Sequence, residues 1–418
     1  MLTQAPKGTK DVTPFDAYKW HCVEGIMKEI ARVNGFREVR TPGFEHTELF
    51  LRGVGDTTDV VQKEMYTFLD KGERSITLKP EGTAGAARSF IEHGMFNEAL
   101  PLKMFYFTPV YRYEKPQSGR LREHHQFGVE AFGGTEPTLD AEIIMLGFSV
   151  LKKCGLQGLS LNINNIGCPE CRAKYNQALK DYFKDKNLCE TCLSRLERNP
   201  MRILDCKDKD CGSDKDNAPV ILDYICDDCK NHFEMLKSIL TSLEIPFKVN
   251  PRIVRGLDYY TKTVFEIIAK VDGNDLTVCG GGRYDGLVGQ LGDREVAGIG
   301  FGMGIERLLI LLEEQNLLPC IPELFKVYVV SGASNEEKIA AFKLVQELRN
   351  NGISAEGDHN GRSFKAQFKY ANKLNVKYTV VIGENELQTG LYALKDMETG
   401  EQKQLAPNEI INEVIKNG

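Results

Sequence analysis

The sequence predicts an α+β chain of two domains, in which a small helical, cysteine-rich insert interrupts the first domain and a small α/β domain follows it. Two β-prone runs, Phe105–Tyr113 and Gln126–Phe132, flank a polar and basic connection, which predicts an antiparallel hairpin. Eight cysteines fall within Cys168–Cys229, where the composition changes abruptly. From Phe325 to Gly418 strand patterns alternate with helix patterns, which indicates an α/β domain with a mostly parallel core.

The composition is that of an ordinary soluble protein. Of the 418 residues 42% are hydrophobic and 27% charged, and no apolar run approaches the length of a membrane span. We expect a cytoplasmic chain without a membrane partner, because the first residues lack the apolar stretch of a secretion signal. Twelve cysteines in such a chain favour reduced thiols or metal sites over disulfides. With a net charge of −6, a nucleic-acid partner would have to be held by local basic patches.

The first helix is predicted from the signals at its two ends. Thr13, followed by a proline, is typical of a helix N-cap, and Asn34 and Gly35 are typical of a helix end. An extended segment, Phe36–Thr41, follows and is ended by Pro42. These elements indicate structure and no particular function.

The next strand and helix meet at a polar turn. Ser75–Leu78 alternates as a strand, and a turn containing Glu81 and Thr83 leads into a predicted helix, Ala84–Ile91. The turn places a carboxylate and a hydroxyl beside a helix N-terminus, where simple capping would explain them. Glu81 could instead bind the ammonium group of a ligand.

The predicted hairpin carries charged and polar residues on its strand faces. Alternation places Arg112 and Glu114 on one face of the first strand, and Gln126 and Glu130 on one face of the second. Such a face makes a poor hydrophobic core and a plausible floor for a small ligand with both charge signs. A solvated surface ribbon is the alternative.

The insert contains three Cys-x2-Cys pairs and two further cysteines. They are Cys168, Cys171, Cys189, Cys192, Cys206, Cys211, Cys226 and Cys229. Two such pairs can complete a tetrahedral, structural zinc site. Because the ends of an inserted module usually lie close together, the outer pairs (168/171 and 226/229) could form one site and the inner four a second. Free reduced thiols on small helices are the alternative.

Glycines mark two strands late in the first domain. A strand at Leu276–Val278 is predicted to end before Gly280–Gly282, which would permit turns and close backbone approach. In Gly298–Gly304 every second residue is glycine, so one face of that strand packs and the other is bare backbone on which a purine would fit. Arg307 would bring a cation to the edge of this surface. A glycine-lined contact between a helix and a sheet is the alternative.

The last domain carries a basic ridge on a predicted helix. Its members recur near helical spacing opposite an apolar stripe, and they are Arg362, Lys365, Lys369, Lys373 and Lys377. Such a ridge can bind phosphates, and a solvated helix face is the alternative.

These motifs resemble the class II aminoacyl-tRNA synthetases and, within them, the histidyl-tRNA synthetase family. The resemblance covers the whole chain outside the insert. Phe36–Thr67 resembles the dimer-forming first motif of the class, Phe105–Gly133 the second motif, and Gly300–Leu309 the third. Arg255–Tyr260 and Gly280–Asp285 resemble the two signatures of the histidine-specific family, and the tail resembles its anticodon-binding domain.

The resemblance implies an antiparallel catalytic sheet flanked by helices, in a homodimer. It implies ATP-dependent ligation of L-histidine to histidine tRNA through a histidyl-adenylate, with Mg²⁺ and with release of AMP and pyrophosphate. The expected catalytic domain spans residues 1–323 and is interrupted by the insert at residues 165–245. The expected anticodon-binding domain spans residues 326–418.

The resemblance also implies which residues bind ATP. Arg112 would hold the α-phosphate and Arg307 would clamp the outer phosphates. Arg255 would bridge the histidine carboxylate and the α-phosphate, so Arg112 and Arg255 are the expected catalytic residues. The other ATP-binding candidates are Glu114 near the adenine, Arg120 near a phosphate, and His124, where family members often place an aromatic residue that stacks on adenine.

Most of the remaining candidates are assigned by the same resemblance to histidine and to tRNA. The amino end of histidine would be bound by Glu81, Thr83 and Gln126. Glu130, Tyr260 and Tyr284 would bind the imidazole nitrogens, and Tyr259 is a further histidine-binding candidate. The resemblance gives Lys115 and Gln117 as expected tRNA contacts, and the basic ridge adds Lys365 and Lys369.

Two other functions are alternatives. One is the non-catalytic paralogue that serves as regulatory subunit of ATP phosphoribosyltransferase and shares the fold. The presence of Arg112, Arg255 and Arg307 together with a complete tail argues against it. The other is a zinc-stabilised RNA-binding protein without a reaction, which would leave the glycine-rich strand beside Arg307 without a purpose.

Overall fold

The computed structural model describes residues 3–55, 58–206, 208, 211–253, 255–271, 273–320 and 324–416. The chain divides into two units, residues 1–319 and residues 320–418. The strands of the first unit are β1 (Arg37–Glu38), β2 (Phe44–His46), β3 (Tyr66–Leu69), β4 (Ser75–Leu78), β5 (Leu102–Tyr111), β6 (Glu123–Phe132), β7 (Ser160–Asn165), β8 (Phe247–Val249), β9 (Thr261–Val271), β10 (Asn274–Arg283) and β11 (Gly298–Gly304). Its helices are α1 (Ala17–Val33), α2 (Thr47–Val54), α3 (Thr83–Glu92), α4 (Pro137–Lys153), α5 (Pro169–Phe183), α6 (Glu190–Arg198), α7 (Asp227–Ser242), α8 (Leu287–Leu291) and α9 (Ile305–Glu314).

The first unit is built on a large sheet with the strand order β1-β5-β6-β11-β10-β9-β7-β8. The pairs from β5 through β7 are antiparallel, whereas β1 and β8 join the edges in parallel. One face packs against α1, α4 and α9, where Phe301 and Met303 of β11 are buried with Met27 and Ile143. The prediction of an antiparallel sheet flanked by helices is therefore confirmed. A smaller sheet has the order β2-β4-β3.

The predicted hairpin is confirmed and is longer than expected. β5 and β6 pair from Leu102 with Phe132 to Tyr111 with Glu123. The prediction that Arg112 and Glu114 share a face of the first strand is wrong, because that strand ends at Tyr111. Two residues after the end of the strand, the amide of Tyr113 donates to the carbonyl of Glu64 at 2.7 Å and not to β6.

The first helix begins later than predicted. α1 starts at Ala17, because Thr13 closes a separate turn in which the amide of Asp16 donates to its carbonyl at 2.9 Å. The Thr13 hydroxyl donates to the Asp16 carboxylate at 3.0 Å, so it does not cap the helix. The predicted end is confirmed, since the helix stops at Val33 and Gly35 adopts φ +77°.

The glycine run after Val278 does not turn the chain, which corrects the predicted end of that strand. β10 continues through Gly280–Gly282 to Arg283, with a register shift beside Thr277 and another beside Arg283. A Cβ on Gly281 would lie 2.0 Å from the carbonyl oxygen of Gly300 on the neighbouring strand. A Cβ on Gly282 would likewise lie 2.4 Å from the carbonyl oxygen of Thr263, so close approach of backbones explains these two glycines. A Cβ on Gly280 would instead lie 2.5 Å from the guanidinium group of Arg255.

The insert is helical, as predicted. It consists of α5, α6, α7 and short 3₁₀ turns, of which the longest spans Pro200–Asp205. Tyr175, Phe183 and Ile203 are buried within it.

The second unit is a small α/β domain. Its strands are β12 (Val327–Ser331), β13 (Ala355–Gly357), β14 (Tyr378–Ile382), β15 (Tyr392–Asp396) and β16 (Gln402–Leu405). Its helices are α10 (Asn335–Asn350), α11 (Phe364–Lys373), α12 (Glu384–Thr389) and α13 (Pro407–Lys416). The strand order is β13-β12-β14-β15-β16. β13, β12 and β14 pair in parallel as predicted, and β15 and β16 extend the sheet in antiparallel fashion.

Candidate active site

The second half of the glycine face of β11 lines a cavity in the first unit. Gly302 and Gly304 form part of its wall beside Gly280 of β10. Nine of the residues singled out in the sequence also line it, and they are Glu81, Thr83, Arg112, His124, Gln126, Arg255, Tyr259, Tyr260 and Arg307. Segments far apart in the chain thus converge on one space.

Three arginines are fixed at the cavity by protein acceptors. Arg112 Nε donates to the carbonyl of Pro80 at 2.8 Å, and Arg255 pairs with the carboxylate of Glu266. Arg307 donates to two backbone carbonyls, at 2.8 Å and 2.7 Å. Each guanidinium carries five N–H groups, so these bonds leave further donors for an anionic ligand.

A buried carboxyl lies behind one wall of the cavity. Glu130 is fully buried, and its Oε1 accepts hydrogen bonds of 2.8 Å from the hydroxyls of Thr83 and Tyr106. The hydroxyl of Tyr284 donates to the other oxygen. Burial raises the pKa of Glu130 to about 8, although the three hydroxyl donors oppose the shift. The carboxyl therefore retains its proton at neutral pH.

Glu81 caps the helix that follows it. Its two carboxylate oxygens accept hydrogen bonds of 2.7 Å from the amides of Thr83 and Ala84, at the start of α3. The capping role considered for Thr83 therefore belongs to Glu81, and the Thr83 hydroxyl turns to Glu130 instead. Burial raises the pKa of Glu81, while the two amide donors oppose the shift.

His124 presents a neutral ring to the cavity. Burial, together with the charges of Arg112 and Arg307, lowers its pKa to about 3. An uncharged imidazole among arginines suits contact with a flat, uncharged group such as a nucleobase.

Several predicted ligand residues lie outside the cavity. Glu114 and Arg120 pair with each other in the hairpin loop, with 2.6 Å between Oε2 and Nε. Lys115 is exposed, and the backbone of Gln117 bonds to that of Arg120. The loop thus closes on itself, which the hydrophobic pattern of the strands could not reveal.

The glycine face of β11 serves two purposes. A Cβ on Gly298 would lie 2.3 Å from the ring of Tyr284, and one on Gly300 would lie 2.1 Å from a carboxylate oxygen of Glu130. These two glycines make room for side chains, so the prediction of a bare surface along the whole strand is wrong for its first half. The last two glycines of the strand line the cavity as expected.

Tyr106 and Glu266 are residues of the site that were not predicted from the sequence. Tyr106 lies opposite Gly128 in the hairpin, and a Cβ on that glycine would lie 2.2 Å from the tyrosine ring. A glycine inside a β-prone run was the available signal. Glu266, the partner of Arg255, had no signal, because a single acid on a strand is ordinary.

The eight cysteines of the insert form the two groups expected from their order. Cys168, Cys171, Cys226 and Cys229 make one group, and Cys189, Cys192, Cys206 and Cys211 make the other. Within each group the sulfur atoms all lie within 4.8 Å of one another. The Sγ atoms of Cys168 and Cys171 are 3.4 Å apart, and those of Cys189 and Cys206 are 4.0 Å apart.

Three members of the basic ridge, Lys365, Lys369 and Lys373, lie on α11, whereas Arg362 precedes that helix and Lys377 follows it. Lys365 and Lys369 are exposed beside a surface depression that Phe368 also lines. Ala371 is fully buried on the other side of the helix.

Comparison with known proteins identifies the family. A family model described as histidyl-tRNA synthetase matches residues 8–308, and one described as anticodon-binding domain matches residues 326–417. The chain belongs to the histidyl-tRNA synthetase family. It is 59% identical to the histidine–tRNA ligase of Clostridium novyi (strain NT) and 56% identical to that of Caldanaerobacter subterraneus subsp. tengcongensis, with 100% of both chains covered in each case. The crystal structure of apo histidyl-tRNA synthetase from S. aureus matches with a TM-score of 0.85 and 39% identity, over 98% of this chain and 99% of that one.

Membership of the histidyl-tRNA synthetase family makes the chain an aminoacyl-tRNA synthetase, which is a ligase, with the class II fold. The full-length ligase relatives support tRNA charging and not the regulatory-subunit alternative. In the described part of the chain, every helix is too short or too polar to cross a membrane.

Proposed function

We propose that the cavity activates L-histidine with ATP and that the chain then transfers the histidyl group to histidine tRNA. The histidine carboxylate attacks the α-phosphorus, and pyrophosphate leaves. A terminal hydroxyl of the tRNA then attacks the carbonyl carbon of the histidyl-adenylate, and AMP leaves. One observation carries the proposal: Arg112, Arg255 and Arg307 border the same cavity as the hydroxyl groups that bond to Glu130.

Histidine recognition is assigned to the carboxyl of Glu130 and the tyrosines around it. A protonated Glu130 donates to an imidazole nitrogen, and an ionised one accepts from an imidazole N–H, so either form pairs with the ring. Tyr260 and Tyr284, with Tyr259, complete this pocket. An apolar competitor would leave these buried polar groups unpaired, which disfavours it strongly.

The ammonium group of histidine is assigned to Glu81, Thr83 and Gln126. Glu81 keeps its orientation because its oxygens are bonded to the amides that begin α3. A carboxylate fixed in this way offers its remaining lone pairs to an ammonium group without reorganising.

ATP binding is assigned to the arginines and to the open glycines. Arg112 and Arg255 would hold the α-phosphate and stabilise the charge that develops as the carboxylate attacks, and Arg307 would hold the outer phosphates. The neutral ring of His124 and the bare backbone of Gly302 would contact the adenine. Glu114 and Arg120 are proposed as further ATP contacts, which requires their mutual ion pair to open.

Mg²⁺ is proposed to enter as part of the nucleotide substrate. The carboxylate of Glu81 at the cavity is assigned to the ammonium group of histidine, and that of Glu114 in the hairpin loop is paired with Arg120. Because Mg²⁺ binds phosphate oxygens and water readily, we assign it to the phosphates of ATP, where it shares the neutralisation of charge with the arginines.

The two cysteine groups are proposed to hold structural Zn²⁺. A tetrahedral ion with Zn–S bonds of about 2.3 Å separates its sulfurs by about 3.8 Å. The sulfur separations of 3.4 Å and 4.0 Å in the two groups lie on either side of that value, and all four sulfurs of each group lie within 4.8 Å of one another. Four cysteines complete such a site, so it leaves no open position for catalysis.

We further propose a cytoplasmic homodimer that binds tRNA on two surfaces. Phe44, Phe68 and Leu69, on β2 and β3, are 55%, 48% and 67% exposed, which suits a sheet that is covered by a second copy. Lys115 and Gln117 in the hairpin loop, with Lys365 and Lys369 on α11, are the proposed tRNA contacts. Reduced and metal-bound thiols persist in the cytoplasm.

Exchange of labelled pyrophosphate into ATP, measured with each amino acid separately, tests the proposed reaction. We expect exchange with histidine and none with the other amino acids, because only an imidazole satisfies the buried groups around Glu130. Charging of histidine tRNA with labelled histidine tests the second step. Silence with every amino acid, from a folded protein, would contradict the proposal.

A further inference from the structure

The loop at residues 255–260 supplies Arg255, Tyr259 and Tyr260 to the cavity. All of its residues are described, and they form neither helix nor strand. Backbone carbonyls outside a ladder still need hydrogen-bond donors when they are buried. Here two arginines of the cysteine-rich insert supply those donors.

Arg172 bonds to one end of the loop. It lies on α5, and its Nη1 donates to the carbonyl of Asp258 at 3.3 Å and to that of Tyr260 at 3.1 Å. One guanidinium therefore joins the residues on either side of Tyr259. Asn199 of the insert adds a bond of 2.9 Å to the carboxylate of Asp258.

Arg202 bonds to the other end. Its side chain is only 5% exposed, and its Nη1 donates to the carbonyl of Arg255 at 3.0 Å. Its Nη2 lies 3.4 Å from the carboxylate of Asp59, which is also paired with Arg195 of α6. Arg202 thus fixes the backbone of the residue proposed to bridge histidine and ATP.

Each of these arginines lies beside a different cysteine group. Arg172 directly follows Cys171 of the outer group, and Arg202 lies four residues before Cys206 of the inner group. A metal bound by four thiolates would fix the backbone at both places, because each cysteine group joins segments that are separate in the sequence.

We propose that Arg172 and Arg202 are positioning residues for the 255–260 loop and that metal at the two cysteine groups holds them in place. The cysteine-rich insert thereby sets the affinity of the active site for histidine. This inference rests on the proposed ligase reaction and on the proposed metal sites.

Arg172→Gln and Arg202→Gln test the positioning role in the full chain. In pyrophosphate exchange we expect the KM for histidine to rise about tenfold in each, as for loss of one or two hydrogen bonds from a charged donor. In Arg172→Gln the KM for ATP should stay within about twofold, because Arg172 bonds to the carbonyls of Asp258 and Tyr260, neither of which is assigned to ATP. In Arg202→Gln the KM for ATP should rise as well, because Arg202 bonds to Arg255, which is assigned to both substrates. Calorimetric titration with histidine should show the same loss of affinity.

Arg198→Gln is the matched control, since Arg198 is an exposed arginine of the same insert. Its KM for histidine should equal that of the parent. Arg172→Lys should recover part of the affinity for histidine that Arg172→Gln loses, because lysine is still a cationic donor. A purely structural role would lower the active fraction and leave both KM values unchanged, and that result would overturn the proposal. A parent without histidine-dependent exchange would instead contradict the ligase reaction.

Removal of metal tests the second half of the proposal. After chelation, a protein that retains its helical circular dichroism should bind histidine about as weakly as Arg172→Gln, and added Zn²⁺ should restore the parent affinity. Parent affinity in protein shown to be free of metal would overturn the coupling.

Discussion

The side chains at the cavity suit a ligand that carries both negative charge and an imidazole ring. The arginines would bind the negative charge, and the uncharged polar groups would bind the ring. Burial lowers the pKa of Arg307, and the nearby charges of Arg120 and Arg112 add to the effect. Phosphates bound among these guanidinium groups would offset their repulsion. His124 and Glu130 are both uncharged at neutral pH, so the positive charge belongs to the arginines.

The buried carboxyl of Glu130 predicts a pH dependence of stability. Its pKa rises from 4.5 to about 8 on folding, so the stability that it contributes is fully present below about pH 4.5 and is lost as the pH rises through about 8. Glu130→Gln has no titrating group at this position. The free energy of unfolding of the parent relative to this variant, from urea titrations, should therefore fall by about 2–5 kcal/mol between about pH 5 and pH 9.

Glu136→Gln provides the control for this measurement. Glu136 is exposed just beyond the same hairpin, so its variant should follow the pH dependence of the parent. Parallel loss of stability in the parent and in Glu130→Gln across this range would show that the buried carboxyl does not hold a raised pKa.

At the scale of elements, the regular strands were predictable and the loops were not. The β-prone runs on either side of the polar connection predicted β5 and β6, because alternation along a strand is local information. The ion pair between Glu114 and Arg120 depends on how the connecting loop folds back, and no periodic pattern encodes that. The glycines of β11 were recognised, but their division between packing and ligand surface depends on Glu130 and Tyr284, which belong to other segments of the chain.

The insert carries both of the proposed metal sites. Protein purified without added metal should contain about two equivalents of zinc per chain, as two sites of four cysteines require. Cys168→Ser and Cys189→Ser should each lose about one equivalent, because each removes a ligand from a different group. Elemental analysis of the purified variants measures this directly.

Cys22→Ser is the matched control for the metal content. Cys22 is an exposed cysteine of α1, outside both groups, and its replacement should leave the metal content unchanged. A folded parent without metal would contradict the assignment of zinc and would leave the cysteines as free thiols.

At the scale of the whole molecule, the sequence predicted the parts of the site better than their assembly. Short motifs identified Arg112, Arg255 and Arg307, because each stands next to a recognisable pattern of glycine or aromatic residues. Their convergence depends on β6, β11 and β10 being neighbours in the sheet. This order brings arginines that are nearly 200 positions apart in the sequence to the same cavity. The bonds from Arg172 and Arg202 to the 255–260 loop had no sequence signal, since their acceptors are backbone carbonyls.

The crystal structure of the full chain with histidine and a non-hydrolysable ATP analogue tests the central claim most directly. We predict imidazole nitrogens at about 3 Å from Glu130 and from Tyr260, with the α-phosphate held by Arg112 and Arg255 and the outer phosphates by Arg307. Histidine bound away from Glu130, or phosphates without contact to any of the three arginines, would contradict the account.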